Sequence, residues 1–572
     1  MTPRQQHRLL IDTVLLGVVG ALSAQAFMFL LRWCQAFFLG WLAGYRENSD
    51  GGIAAGPHGV WLIPLSTTLG GLLVGLIVYW LAPEAEGHGT DAAVNAFHNL
   101  RGVIRTRVPF VKMLASAITI GSGGSAGREG PTALISSGIG SLYARMRGRS
   151  EEETRLLLLI GMAAGLSAIF RSPIGTAIFA IEVLYSETEF ESSALVFTML
   201  GSIVAYAVNG LFVGFRPLFF VPANLVAPSP GNYGWYIVLG AVCGLIATTL
   251  PMALYSVRDL FRAIPCPPHF KPAIAGIGVG LASMAFPQLL GGGYSWIQAA
   301  IDGRIATGVL AALAVGKIIT FALTIGSGGS GGVFAPSLFT GAMVGGFLAP
   351  FCHQPQAAFA VVGMAAVFGA AARVPIATLL MVTHMTAGYQ MLIPAALAVI
   401  LSSLVQALLS SRLKYKSLYE AQVTTRAHSP SHYREEVRVA MELLGKPGLG
   451  SAVLGRGLEL ISLLSSGVPV TLTDGKQIRI GALLAKSPCV GHPMSAGCFG
   501  GKDDPEFILV LRGERALWPR PDLALEAGDR LIAVASEGAW SGVAEHLDGV
   551  GPAEPPRAAV RQGRSIQGDG RL

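Results

Sequence analysis

The amino-acid sequence predicts an all-α polytopic membrane protein built from two copies of one helical unit, followed by a small α/β domain. Three observations carry that prediction. Hydrophobic residues make up 52% of the 572 residues and charged residues only 13%, against about 25% charged in an average soluble chain. Several apolar segments reach the ~20 residues that a bilayer crossing needs. One Gly-rich pattern occurs twice at almost constant spacing. The mean hydropathy of +0.55 agrees. So large an apolar fraction excludes a disordered chain, and no Gly-x-y period supports collagen.

The long apolar segments are 9–44, 59–82, 192–214, 233–256, 306–325 and 389–410. The first, Leu9 to Trp41, is too long for a signal-peptide core and reads as a retained helix. Between them lie stretches that are short or broken by Gly and Pro: 108–120, 131–143, 155–170, 173–185, 271–289, 334–350, 356–370 and 375–388. Broken helices at membrane depth must be buried in protein or line an aqueous path, because free backbone groups in lipid cost too much.

The repeat is specific. The run from Lys112 to Pro131 aligns without gaps to that from Lys317 to Pro336, and both contain K-x4-A-x-T-I-G-S-G-G-S-x-G-x3-P. A second pair, Gly161 to Glu182 and Gly363 to His384, follows at nearly the same offset. The repeats span roughly residues 59–214 and 270–410. Each has a Gly-rich break before a short helix, a duplicated transporter layout. Sequence alone leaves their relative orientation open.

Charge sets the boundary of the membrane part. Residues 421–572 hold 34 of the 75 charged residues, and residues 1–420 hold the other 41. The expected organisation is a membrane domain over 1–421, a polar linker over 422–435, a soluble α/β domain over 436–548 with short alternating strands, and a disordered tail over 549–572. Arg4, Arg8, Arg412, Lys414 and Lys416 flank apolar segments, as cytoplasmic ends do. Both termini are therefore expected in the cytoplasm of a cell with a bacterial-type inner membrane. The net charge of +7 is explained this way and does not call for nucleic acid. The six cysteines are scattered, without a CxxC or a dense framework.

The chemistry lies in the breaks. A Gly-rich loop that opens a helix offers free N–H groups and the positive end of the helix dipole, which together hold an anion. The candidates are Gly87–Thr90, Gly121–Pro131 and Gly326–Pro336. No Walker lysine follows, which argues against a nucleotide loop. Fixed partial charges of this kind bind weakly enough for conduction. The plain alternative is that the glycines only let helices pack closely. Glu129 is the sharpest single residue. It sits inside one break, and the preceding segment from Met113 to Gly127 carries no charge. An intramembrane carboxylate is costly and functional by default. It would compete with an anion for the same N–H groups and leave when protonated, which makes a gate sensitive to pH and voltage.

These residues resemble a known family. The run Gly127 to Pro131, the run Gly331 to Pro336 and Ser417-Leu-Tyr-Glu420 are similar to the motifs of the CLC chloride channels and chloride/proton exchangers, over roughly residues 9–421. The resemblance implies an inverted duplication of tilted and half-length helices, and a homodimer in the bilayer with one anion path per subunit. Chloride would be the transported ion, and no cofactor is implied. Glu129 falls on the gating glutamate. His88, Gly127, Arg128, Gly130, Val333, Phe334 and Tyr419 fall on or beside the anion-binding positions.

Three departures stand out. His88 replaces the usual serine, and the proline of that loop is missing. Val183 stands where exchangers carry a proton-transfer glutamate, with Glu182 just before it. His384 stands where the second half commonly has glutamate. Val183 favours a passive voltage- or pH-gated channel. The alternative is a chloride/proton antiporter with Glu182, His88 or His384 on the proton path. From a different class, a non-transporting membrane sensor is the rival. No metal-ligand cluster, triad or nucleotide loop points to an enzyme. The segment Phe507 to Ser536 resembles the TrkA-C (RCK-C) regulatory module, which implies a dimerising cap that senses a small ligand, a nucleotide for example.

Overall fold

The computed structural model describes residues 3–47, 53–55, 60–187, 189–222, 225–426 and 429–430. Further along it describes 470–471, 476–484, 486–494, 506–512, 515–517, 519–520, 523–536 and 547–548. The expected tail at 549–572, the linker residues 431–435 and the segment 436–469 lie outside the described residues. The chain divides into two units, Met1–Ser429 and Pro430–Leu572.

In the first unit the helices, in chain order, are α1 (Pro3–Gln35), α2 (Ile63–Leu81), α3 (Thr90–His98), α4 (Arg107–Gly121), α5 (Glu129–Met146), α6 (Glu151–Phe170), α7 (Pro173–Glu182) and α8 (Leu195–Val213). They continue as α9 (Tyr233–Ala263), α10 (Lys271–Ala285), α11 (Tyr294–Ile301), α12 (Thr307–Gly326), α13 (Phe334–Leu348), α14 (Gln356–Ala372), α15 (Pro375–Thr386) and α16 (Leu392–Ser410). Among the described residues seven helical segments are long and apolar enough to cross a membrane, and α7, α13, α14 and α15 are shorter apolar helices. One of the seven, Glu151–Phe170, is longer than the sequence reading allowed. Its start is set by a capping box. The Ser150 hydroxyl accepts the Glu153 N–H at 3.2 Å and the Glu153 carboxylate accepts the Ser150 N–H at 3.3 Å, so the helix begins in polar residues that an apolar count leaves out. Leu211, Leu408, Val196 and Ile393 are among many apolar side chains left exposed on the surface, as a lipid-facing belt requires.

The duplication is visible helix by helix, with α2–α8 matched in order by α10–α16. Matching contacts recur in the two halves. A Cβ on Gly140 of α5 would stand 2.3 Å from the Leu157 carbonyl oxygen of α6, and one on its counterpart Gly345 of α13 would stand 2.0 Å from the Phe359 oxygen of α14. Only glycine permits either approach. The halves meet at Gly127 and Gly332, counterparts at the 205-residue offset. These exchange two backbone hydrogen bonds of 2.7 Å in an antiparallel bridge. Around it the pairing is reciprocal. Ser125 N–H donates to the Thr324 hydroxyl at 3.0 Å, and Ser330 N–H donates to the Thr119 hydroxyl at 3.4 Å. A local two-fold axis therefore passes through the Gly127–Gly332 bridge.

Two buried lysines open the repeated motif. Lys112 donates to the carbonyls of Ala85 (3.0 Å) and Gly87 (2.7 Å), and Lys317 donates to those of Leu289 (2.9 Å) and Gly291 (2.7 Å). Each fixes the loop ahead of a short helix, α3 or α11. After α16 the chain returns to the first half. Residues 422–426, expected to begin a linker, are part of this unit. Val423 pairs with Tyr185 in a parallel bridge, and Arg426 lies 3.4 Å from Glu191.

Two short strands, β1 (Tyr45–Glu47) and β2 (Ile53–Ala55), pair antiparallel in the first unit. The described part of the second unit is an antiparallel sheet of β3 (Val470–Thr471), β4 (Gln477–Leu483), β5 (Glu506–Arg512), β6 (Arg515–Leu517), β7 (Arg530–Ala535) and β8 (Leu547–Asp548). Its order is β3-β4-β7-β5-β6, with β8 on β4. Leu483, Val510, Leu525, Leu531 and Leu547 form its core. Arg512 grips the buried Asp529 with two hydrogen bonds of 2.9 and 2.8 Å.

Candidate functional site

The bridge at the axis aims two helix N-termini at one region. In α5 intrahelical bonding starts with Thr132 N–H to Arg128 C=O, and in α13 with Ser337 N–H to Val333 C=O. The N–H groups of Arg128, Glu129 and Gly130, and of Val333, Phe334 and Ala335, therefore lie at open helix ends. Gly127 does not share this role. Its N–H is spent on the Gly332 carbonyl, so the expectation that it donates to an anion is corrected: its part is to close the bridge.

Glu129 is 1% exposed, and neither carboxylate oxygen has a hydrogen-bond partner of good geometry. The Arg128 guanidinium stands 3.9 Å away, and the backbone N–H groups of Arg128, Glu129 and Ala335 approach the carboxylate. The carboxylate crowds the start of α13. A Cβ built on Gly127 would lie 2.3 Å from Glu129 Oε2 and 3.0 Å from the Ala335 nitrogen. A carboxylate therefore occupies the place where N–H groups of α13 face outward. Phe334, the 205-offset counterpart of Glu129, is 3% exposed and held in an aromatic cluster, 3.7 Å from Phe368 and 4.4 Å from Phe170 between ring centroids.

Tyr419 reaches this region from the chain end. It is 2% exposed, and its hydroxyl pairs with the Thr90 side chain at the start of α3. Asp91 holds the same strand by accepting the Ala421 N–H at 2.7 Å, and the Tyr255 hydroxyl donates to the Leu418 carbonyl at 2.6 Å. His88 stands with its ring centroid 5.4 Å from that of Tyr419. Its carbonyl abuts α5, because a Cβ on Gly130 would lie 2.1 Å from the His88 oxygen. His88, Arg128, Glu129, Gly130, Val333, Phe334 and Tyr419 are thus brought to the crossing of the repeats.

Cavities flank the crossing. One of about 620 Å³ is lined by His88, Asp91, Arg258 and Glu420 among others. Another of about 260 Å³ is lined by Arg32, Arg128, Gly293 and Tyr294 among others. The Arg128 guanidinium sits 4.3 Å over the Tyr294 ring. Lys112 and Lys317 point their ammonium groups at carbonyls, as described, so neither is a ligand for an anion.

The proposed proton-path residues separate. Glu182 is buried, and its carboxylate accepts the N–H groups of Ile376 (3.1 Å) and Ala377 (2.7 Å) at the N-terminus of α15. His384 sits at the other end of the same helix pair, with Nδ1 3.0 Å from the Ser172 hydroxyl ahead of α7. The ten residues of α7 put about 15 Å between these ends. Glu182 and His384, offered by the sequence as alternatives on a proton path, are thus symmetry-related positions at opposite ends of the α7–α15 pair. Val183 is fully buried. Sequence reasoning placed Thr90 and Ala335 inside its candidate breaks without giving either a role of its own, and it gave Asp91 none. The 204-residue offset between Gly87-His-Gly89 and Gly291-Gly-Gly293 was a signal available for the loops.

The family model for voltage gated chloride channels matches residues 70–407. The chain belongs to the CLC family. The curated CLC relative H(+)/Cl(-) exchange transporter ClcA of Citrobacter koseri is 30% identical over 428 residues, covering 72% of this chain and 87% of that one. Its namesake in Salmonella arizonae is 29% identical over the same length. Among solved structures, a CLC-type fluoride/proton antiporter matches with a TM-score of 0.63 at 21% identity, covering 74% of this chain and all of that one. A slow cyanobacterial Cl−/H+ antiporter matches with a TM-score of 0.62 at 22% identity, covering 72% and 96%. The fold is accordingly the CLC inverted repeat, and the chain is a multi-pass integral membrane protein of CLC-type anion transport. A non-transporting sensor finds no support in this membership.

Proposed function

We propose that this protein exchanges chloride, or a similar small anion, for protons, as a homodimer with one path per protomer. The observation that carries the proposal is the buried Glu129 carboxylate lying at the open ends of α5 and α13. An anion there would meet the N–H groups of Val333, Phe334 and Ala335 and the side chains of Tyr419 and His88. Protonation removes the competing charge, so movement of the anion and of a proton are linked at one residue. The relatives named as exchangers support this reading over the passive channel that Val183 suggested. The basic flanks support a reading with both termini inside an inner membrane and the His88 cavity on its cytoplasmic face. The second unit regulates the path through a small ligand and does not conduct.

Reconstituted vesicles under opposed proton and chloride gradients test this. An exchanger drives protons uphill on a chloride gradient, and its reversal potential moves with pH. A channel, the second reading that Val183 favours, reverses at the chloride potential whatever the pH. That outcome would falsify the exchange proposal. Replacing His88 by serine is expected to change the halide preference.

A further inference from the structure

Exchange requires a group that hands protons between a cavity and Glu129, and the geometry narrows the choice. Val183 has nothing to titrate. Glu182 is committed to two N–H groups of α15, and His384 lies at the far end of α7 against Ser172. Asp91 accepts the Ala421 N–H. His88 differs from all of these. It lines the 620 Å³ cavity, is only 7% exposed, and has a buried Nδ1 without a hydrogen-bond partner. A buried polar atom left unpaired is costly and calls for an explanation. The ring faces Tyr419, and the His88 backbone touches the residue after Glu129.

The charged and titratable groups around the ring come from six parts of the fold. Lys112 of α4 holds the carbonyls of Ala85 and Gly87. Arg258 of α9 is paired with Glu420 of the chain end. Asp91 of α3 is bonded as above, and Glu86 precedes the loop in the cavity wall. Glu129 and Tyr419 complete the set. The cations nearby are thus held by other partners, and the free ring nitrogen is left to accept.

We propose that His88 relays protons between this cavity and Glu129, a role that rests on the exchange reading above. In each passage an N–H bond forms at one nitrogen of the neutral imidazole as an O–H bond of a hydronium ion in the cavity breaks and leaves water behind. The N–H bond at the other ring nitrogen then breaks, and that proton travels past Tyr419 to the Glu129 carboxylate. Return to the starting tautomer resets the ring, and no electrons are transferred. Imidazole is suited to this because one nitrogen accepts while the other donates.

The test measures protons moved per chloride in vesicles holding the full-length chain, comparing the unmodified protein with His88→Ser and His88→Gln. A relay contributes at least ~10-fold to proton movement, so both variants should lower the ratio by about that factor. The glutamine variant keeps a side chain of similar reach, and chloride movement at any rate certifies its fold. An unchanged ratio overturns the relay and leaves exchange standing. Loss of both fluxes together assigns His88 a packing role and also overturns it. Absence of proton movement in the unmodified protein overturns relay and exchange alike.

Discussion

The two halves share the residues that build the crossing and differ in the residues of the candidate site. Both have the lysine that ties down a loop, the threonine that accepts an N–H from the other half, and the glycine of the bridge. Yet Glu129 is matched by Phe334, His88 by Gly292, and Glu182 by His384. Bridging demands small residues and reciprocal donors, which each half must supply equally. A site beside a two-fold axis has the opposite requirement. Two carboxylates facing each other there would repel, and one would be forced to hold a proton. Scaffold symmetry and site asymmetry are thus both physical necessities.

The largest effect expected is at the asymmetric pair. Glu129→Gln carries the protonated shape permanently, so proton movement should fall at least ~100-fold and anion flux should lose its pH dependence. Stopped-flow pH and chloride traces check both. A variant with intact proton movement removes Glu129 from the mechanism. The matched pair comes next. Lys112→Met and Lys317→Met each strand two buried carbonyls, so each should cost about 2–4 kcal/mol. Equal losses in thermal unfolding in detergent would sharpen the two-fold picture, and one silent variant would break it.

A smaller, unequal pair follows. Glu182→Gln weakens a carboxylate cap on α15 and should cost about 1–2 kcal/mol. His384→Ala removes one contact to Ser172 and should cost about 0.5–1.5 kcal/mol. If the His384 variant were instead the one to abolish proton movement, His384 belongs on the proton path. The smallest effect on transport is expected from removing residues 430–572. The remaining unit should stay a folded, anion-transporting dimer with altered gating, measured by size-exclusion chromatography and flux. Failure of that truncation to fold would make the second unit structural.

Much of the site was legible because the breaks repeat. A motif of fixed spacing with one carboxylate inside it, in a segment otherwise without charge, singles out Glu129 and the glycines around it. Gly127 shows the limit of such reasoning. Its place in the motif suggests an anion donor, but only its pairing with Gly332 reveals where the N–H goes. The helix at 151–170 was undercounted for a local reason, since its capping residues are polar.

By itself the sequence determined the membrane class, the duplication, the charge-rich C-terminal part and the isolated carboxylate. Each of these is a property of composition or spacing along the chain, and the bilayer's demand for apolar length and satisfied backbone makes such properties decisive. The tertiary structure decided which donors remain free. Glu182 and Ala377 lie 195 residues apart and meet at 2.7 Å, as do Asp91 and Ala421 across 330 residues. Whether a buried polar group acts as a brace or stays available for chemistry depends on the partner it meets, and that partner comes from the other half of the fold.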